Sequence, residues 1–288
     1  MDEAPFQKRL DDLKADRRHG AAELARLALG ILAESAAAKA GDGPALRQTL
    51  LERASRLIEA RPSMAAVRNL LVLFQADLAG APAENLDALR GFAAAQAKAR
   101  IVESENAASA AAMACAAALG ENRTLLTHSL SSTVLYVFHD LKKRGLRVIA
   151  TESRPLFEGV ALAERLSAWG VPTTLITEAE IGLFAERADA CLVGADTVLE
   201  NGDVLNKAGT YPLALAAVDA GVPFFVCAEG FKWMPDGSAP ALEAMDPAEL
   251  GVPAFPHVRV ENIYFDRTPA RLITAYFNEK GRIQGARP

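Results

Sequence analysis

The chain has 288 residues, a formal net charge of −5, 51% hydrophobic and 23% charged residues. That is the composition of a globular protein long enough for one large or two unequal domains, and the mild acidity without a long basic run excludes a general nucleic-acid surface. Cys115, Cys191 and Cys227 lack CxxC spacing, and His19, His128, His139 and His257 do not cluster, so no metal site is expected.

The first residues, MDEAPFQKRLDD, are charged and carry no apolar h-region, so no secretory signal is expected. The longest apolar run, around residues 107–119, is too short to span a bilayer. The expected compartment is the cytoplasm, and the expected partners are small molecules or proteins, with no nucleic acid and no membrane.

In chain order, residues 1–120 read as a helical domain. Leu24, Leu27, Ala28 and Ile31 recur at i, i+3, i+4, i+7, and so do Val67, Leu70, Leu71 and Phe74. Gly41-Asp42-Gly43-Pro44 and Gly80-Ala81-Pro82 separate helices, and an alanine-rich helix runs from 92 to 119. Arg17-Arg18-His19-Gly20-Ala21 and Arg61-Pro62-Ser63 each precede a helix, where free N–H groups and positive charge suit either an anion or simple capping.

From 121 to 288 the period changes. Short apolar strands are expected at 124–127, 146–151, 172–177, 189–194, 222–228 and 259–265, with helices at 132–143, 159–168, 178–186, 210–220 and 269–277. This alternation predicts a doubly wound, mostly parallel sheet with helices on both faces, hence an α/β chain with a helical N-terminal domain. Asn201-Gly202 reads as a two-residue type I′ hairpin turn that pairs Val198 with Leu205 and Asp196 with Lys207.

The loops after parallel strands share one edge, where such sheets bind ligands. They carry His128-Ser129-Leu130-Ser131-Ser132 after the first strand and Glu152-Ser153-Arg154 after the second. Asp196 with Asn206-Lys207 follows the fourth strand, and Glu229 and Lys232 follow the fifth. Hydroxyls at a helix start suit phosphate, the cations suit an anionic ligand, and Asp196 and Glu152 suit hydroxyls or proton transfer. This is a set for a phosphorylated polyol. GxGxxG, GxxxxGK[ST] and GxSxG are absent, so neither a dinucleotide cofactor, a P-loop nucleotide nor a serine-hydrolase elbow is expected.

The stretch GADTVLENGDVLNKAGTYPLALAA, with THS, TESRP, FDRTPARLITAYFNEKG and ARPSMAAVRNLL, resembles the family of the alpha, beta and delta subunits of translation initiation factor 2B. That family includes methylthioribose-1-phosphate and ribose-1,5-bisphosphate isomerases. The resemblance implies a Rossmann-like second domain, a homodimer, and an interdomain pocket for a phosphorylated sugar or nucleotide with no cofactor. It implies ligand contacts at Gly20, Ala21, Arg61, Ser131, Arg154, Asn206 and Lys207, and puts the isomerases' acidic catalytic residue on Asp196. Their catalytic cysteine falls on Ser129, and His19 replaces an arginine. A hydroxyl is far less acidic than a thiol near pKa ~8.5, so the expected function is ligand binding without efficient isomerisation. The rival expectations are an active isomerase on a ribose 1-phosphate derivative and a translation-related protein-interaction module.

Overall fold

The computed structural model describes residues 1–81, 84–234 and 242–285; Pro82 of the expected Gly80-Ala81-Pro82 loop lies outside them. The chain separates into two compact units, Met1–Asn106 with Phe231–Trp233 and Ala107–Gly230 with Met234–Pro288. The division falls inside the alanine-rich helix.

The first unit is helical. Helices α1 (Glu3–Ala15), α2 (Ala21–Ser35), α3 (Gly43–Ala60) and α4 (Ala65–Ala79) are followed by the start of α5 (Leu86–Leu119). Asp42 caps α3 by accepting the Ala45 N–H at 2.8 Å, and Pro44 occupies its first turn, where a missing N–H costs nothing. Val67, Leu70, Leu71 and Phe74 are all fully buried, as their spacing requires. On α2 the buried stripe is Leu24, Ala28, Leu29, Ile31 and Leu32; Leu27 is exposed instead, because Leu29 and Leu32 turn the apolar face away from it.

The second unit is an α/β sheet. Its strands and helices are β1 (Thr124–Thr127), α6 (Ser132–Leu141), β2 (Arg147–Thr151), α7 (Glu158–Ala168), β3 (Thr173–Ile176), α8 (Ile181–Ala185), β4 (Ala190–Val193), β5 (Thr197–Val198), β6 (Val204–Lys207), α9 (Thr210–Asp219), β7 (Phe224–Cys227), β8 (Phe265–Thr268), β9 (Ala275–Asn278) and β10 (Gly281–Gln284). Seven strands form the main sheet in the order β10-β9-β7-β4-β1-β2-β3, all parallel except β10 against β9. The apolar strands are buried on both faces, which is why they read as unbroken Val/Ile/Leu/Ala runs. Ala111, Ala112, Cys115, Ala116 and Leu119 of α5 join Leu125, Phe138, Val148, Leu192 and Phe277 in one core cluster.

Two expectations fail near the end of the chain. The strand expected at 259–265 begins only at Phe265 and pairs antiparallel with β6, Asn206 opposite Asp266, in a separate small sheet β5-β6-β8. The helix expected at 269–277 is a short turn at Ala270–Leu272 followed by β9. Ile273, Thr274, Tyr276 and Phe277 are β-branched or aromatic, and alignment beside β7 overrides the helical spacing of the alanines.

The hairpin register also differs from the expected one. Thr197 pairs with Leu205 and Val198 with Val204, and the Leu199 N–H bonds the Asp203 carbonyl at 2.8 Å, leaving a three-residue loop. Of the loop residues Gly202 has the positive φ, +84°, while Asn201 does not, so the loop is a turn closed by a left-handed glycine rather than a type I′ pair. The loop is tied down by Asp203, whose Oδ1 accepts the Ala270 N–H at 2.8 Å and whose Oδ2 meets Arg267 Nε at 2.6 Å. Burial alone would raise the Asp203 pKa, but these bonds outweigh it and hold the carboxyl below its ordinary range.

Gly159, in the first turn of α7, lies so close to β2 that a Cβ would sit 1.6 Å from the Thr151 carbonyl oxygen. Gly159→Ala is expected to destabilise the protein by ~3 kcal/mol, since the obstacle is backbone. Gly30→Ala, inside α2 with nothing within 4 Å, should instead stabilise by about 1 kcal/mol. Denaturant unfolding of the two variants checks both signs.

Candidate functional site at the carboxyl edge of the sheet

The chain leaves β1 toward β2 and β3 on one side and returns to β4 on the other. The loops after β1 and β4 therefore face each other at the reversal of strand order, where open α/β sheets bind ligands. They approach closely: a Cβ on Gly194 would lie 2.3 Å from Ser131 Oγ, so only glycine leaves that hydroxyl room. Ser131 is also the N-cap of α6, accepting the Val134 N–H at 3.4 Å, which aims the free N–H groups of that helix toward the same edge.

Ser129 lies in the same turn with φ +65°, a conformation serine adopts only when its surroundings impose it. The imposing bond is visible. Its N–H donates to Ser153 Oγ at 2.8 Å, and Ser153 itself has φ +64° and donates its N–H to Glu178 Oε1 at 2.6 Å. Ser153 Oγ lies 3.1 Å from Thr151 Oγ1, which lies 2.6 Å from His128 Nδ1. At the far side of the ring, Nε2 is 2.9 Å from the Ala208 carbonyl.

A carbonyl only accepts, so His128 carries its proton on Nε2, and Nδ1 accepts from the Thr151 hydroxyl. The whole chain then runs one way, from the Ser129 amide through two hydroxyls and the imidazole to Ala208, and ties together the loops after β1, β2 and β6. A second proton on His128 would face the Thr151 hydroxyl donor. Burial drives the His128 pKa down to about 4; the bond to Ala208 and the charge of Glu178 oppose the shift only in part.

The remaining expected residues of this unit lie as follows. Asp196 is half-buried just past β4, and its N–H bonds the Leu205 carbonyl at 3.0 Å. The cross-strand pairing of Asp196 with Lys207 is replaced by the shifted register described above. Lys207 is buried, its ammonium 2.5 Å from Glu158 Oε1 and 4.3 Å from the centre of the Tyr264 ring. Glu158 Oε2 is buried and meets no hydrogen-bond donor among the described residues. Asn206 is buried and donates to Thr210 Oγ1 at 3.0 Å, and that hydroxyl donates to the Lys207 carbonyl at 2.6 Å. Arg154 is exposed, stacked on Phe157 at 4.8 Å and donating to the Leu250 carbonyl at 2.9 Å. Glu229 is fully buried and accepts from Thr133 Oγ1 at 2.8 Å.

In the first unit, Gly20 is the residue before α2 and Ala21 its first residue. Asp16 shapes this turn, accepting the N–H groups of Arg18 and His19 at 2.8 and 3.0 Å and bonding His19 Nδ1 at 2.7 Å. Arg61 is buried after α3 and donates to the Asp16 carbonyl at 3.0 Å, so the two expected anion spots of this unit meet at one residue. Lys232 is buried in the short turn Gly230–Lys232.

Sequence reasoning missed Glu158, Thr151, Tyr264 and Asp266. The first follows the Arg154-Pro155 pair by three residues, and the last sits in the FDRTP stretch, but neither has local spacing that announces a role.

Because unfolded His128 titrates near pH 6.5 and the folded one near 4, the unfolded chain takes up the proton first as pH falls. The stability that His128 contributes is complete above pH 6.5 and is lost progressively toward pH 4. The difference in unfolding free energy between the wild type and His128→Gln is therefore expected to shrink by about 2 kcal/mol between pH 7 and pH 5. Urea titrations of both proteins at the two pH values measure it.

The model of the Initiation factor 2 subunit family matches residues 17–285. An eIF-2B subunit 2-like protein of Pyrococcus abyssi is 36% identical over 278 residues, covering 95% of this chain and 94% of its own length. A 5-deoxyribose 1-phosphate isomerase of Moorella thermoacetica is 32% identical over 282 residues, covering 89% and 79%. The crystal structure of the Pyrococcus horikoshii OT3 translation initiation factor eIF-2B superposes with a TM-score of 0.85 at 30% identity, covering 98% of each chain. The parallel sheet with its reversal between β1 and β4, the helical unit before it and this extent of matching agree: the chain belongs to the initiation factor 2 subunit family.

Proposed function

We propose that the chain binds a phosphorylated sugar or nucleoside monophosphate at the carboxyl edge of the sheet in its second unit, and that it isomerises such a ligand poorly. The reading rests on one observation above the rest. The turn after β1 carries Ser129, pinned by Ser153, where the family resemblance calls for the isomerases' catalytic cysteine. The pinning fixes the backbone for either residue type, so the difference between them is chemical. A thiol can trade a proton near neutral pH, whereas a serine hydroxyl needs a separate base.

The binding half of the proposal is supported by polarity. Ser131 and the start of α6 suit a phosphate. Lys207 suits a second anionic or hydroxyl group, and the open oxygen of Glu158 beside it suits a ligand hydroxyl. Asp196 stands at the same edge as the acidic partner, and Arg154 is proposed as a further ligand contact. The working form we propose is a cytoplasmic homodimer; no helix among the described residues is long and apolar enough to cross a membrane.

A second reading, an active isomerase, is favoured by the Moorella thermoacetica relative, whose name gives it 5-deoxyribose 1-phosphate as substrate.

The test is a thermal-shift series with ribose 1,5-bisphosphate, methylthioribose 1-phosphate and nucleoside monophosphates. A ligand at a hundred times its Kd should stabilise the wild type by about 2.7 kcal/mol, and Asp196→Ala and Lys207→Ala should lose the shift. Lys207→Ala also strands Glu158, at a cost of ~3 kcal/mol, so each variant is compared with its own ligand-free baseline. Ser129→Cys is expected to turn over the binding sugar phosphate at least tenfold faster than the wild type. Equal turnover by both would establish the isomerase reading, and no shift with any phosphate would end the binding one.

A further inference from the structure

The strand β6 that carries Asn206 and Lys207, and the turn after it, are held from the side of β8. Asp266, on β8 directly opposite Asn206 of β6, accepts the Gly209 N–H at 2.7 Å and the Tyr211 N–H at 3.0 Å, both through Oδ2. These are the N–H groups at the start of α9. Its other oxygen, Oδ1, is buried and meets no hydrogen-bond donor among the described residues. Both N–H groups bond a carboxylate oxygen, and such charge-assisted bonds are roughly twice as strong as those a neutral, isosteric asparagine would accept. The charge therefore strengthens this hold, while burial of the ionised group opposes it.

We propose that ionised Asp266 is a positioning residue, whose charge clamps the start of α9 and thereby sets the Asn206–Gly209 loop in its ligand-binding form. The clamp acts against a second one. Gly209 has φ +116° and so little room beside the His128 ring that a Cβ would lie 2.6 Å from Nε2, while the preceding carbonyl of Ala208 receives the His128 proton. His128 and Asp266 thus grip the two ends of one peptide unit, the Ala208 carbonyl and the Gly209 N–H, from opposite sides. Loss of the carboxylate charge lets the Gly209 and Tyr211 amides turn outward and swings Lys207, two residues before Gly209, away from Glu158.

The charged and titratable groups around Asp266 leave it to respond to pH by itself. Lys207 of β6 is paired with Glu158 and Arg267 of β8 with Asp203, and the nearby Tyr211 of α9 and Tyr264 before β8 carry phenols. Burial raises the Asp266 pKa to about 6, with the N–H groups of Tyr211, Gly209 and Thr210 opposing the rise. Those N–H groups favour the ionised form, so their bonds to Asp266 weaken when the carboxylate takes up its proton as pH falls through 6.

The proposal rests on the binding reading above only for its second readout. The first is ligand-free: protection of the Gly209 and Tyr211 amides against hydrogen exchange, corrected for intrinsic rates, from pH 5 to pH 8. Wild-type protection should fall at least tenfold below pH 6, be lost at every pH in Asp266→Ala, and be low and pH-independent in Asp266→Asn, which keeps the shape should the alanine variant not fold. Protection in Asp266→Asn equal to the wild type at pH 8 would overturn the proposal. The second readout is the Kd for ribose 1,5-bisphosphate. Its phosphates also titrate near pH 6, equally for all proteins, so only the ratio of variant to wild type counts. That ratio should be tenfold or more at pH 8 and approach one at pH 5. A ratio constant with pH would overturn the link to binding. Absence of binding by the wild type would sink the binding reading, while the exchange result still judges the clamp.

Discussion

The carboxyl edge of this sheet depends on one imidazole remaining neutral. His128 has a single proton to give, and it gives it to the Ala208 carbonyl; its other nitrogen must accept from Thr151. That direction sets every bond back to the Ser129 amide. Three loops from distant parts of the chain are registered to one another through atoms that water does not reach, and in low dielectric each such bond is worth more, and its loss costs more, than at the surface. The apolar strands below make the platform, but hydrophobic burial has no direction, and this bonded chain fixes how the loops sit on it.

The small sheet β5-β6-β8 has a related task. Its strands β5 and β6 are an excursion between β4 and β7, joined by β8 from beyond β7, and they carry Asn206 and Lys207 as buried side chains. A buried lysine needs its charge answered, and Glu158 and the Tyr264 ring answer it from two sides. Because Glu158 already answers the ammonium, any anion brought to Lys207 would have to share it with that carboxylate.

Much of the fold was legible because β1, β2, β4 and β7 are short apolar runs closed by turn residues, and burial on both sides of a parallel sheet leaves that mark. The turn at Asn201-Gly202 was visible but its length was not, since the same dipeptide ends a three-residue loop as readily as it makes a two-residue one, the difference being the φ of Asn201. β9 was hidden because Ala270, Ile273, Thr274 and Phe277 also satisfy a helical spacing, and only the neighbouring β7 decides between the two. At the site, Ser129, Ser131, Asp196 and Lys207 could be found because topology sends the ends of parallel strands to one edge. Glu158 and Asp266 could not, because each matters through a partner about fifty residues away.

Gly209 stands between two buried groups whose titrations run in opposite directions. For His128 the folded form resists protonation, so stability rises with pH from about 4 to 6.5. Asp266 resists ionisation when folded, so its contribution falls with pH from 3.8 to about 6. The spans and sizes nearly match, and the two slopes largely cancel in any measurement of the whole protein. A melting temperature that hardly changes across mildly acidic pH would then conceal two opposed proton equilibria, one in each hand that holds the loop, and the protein would enter acid with its fold intact while the grip on Lys207 had already changed.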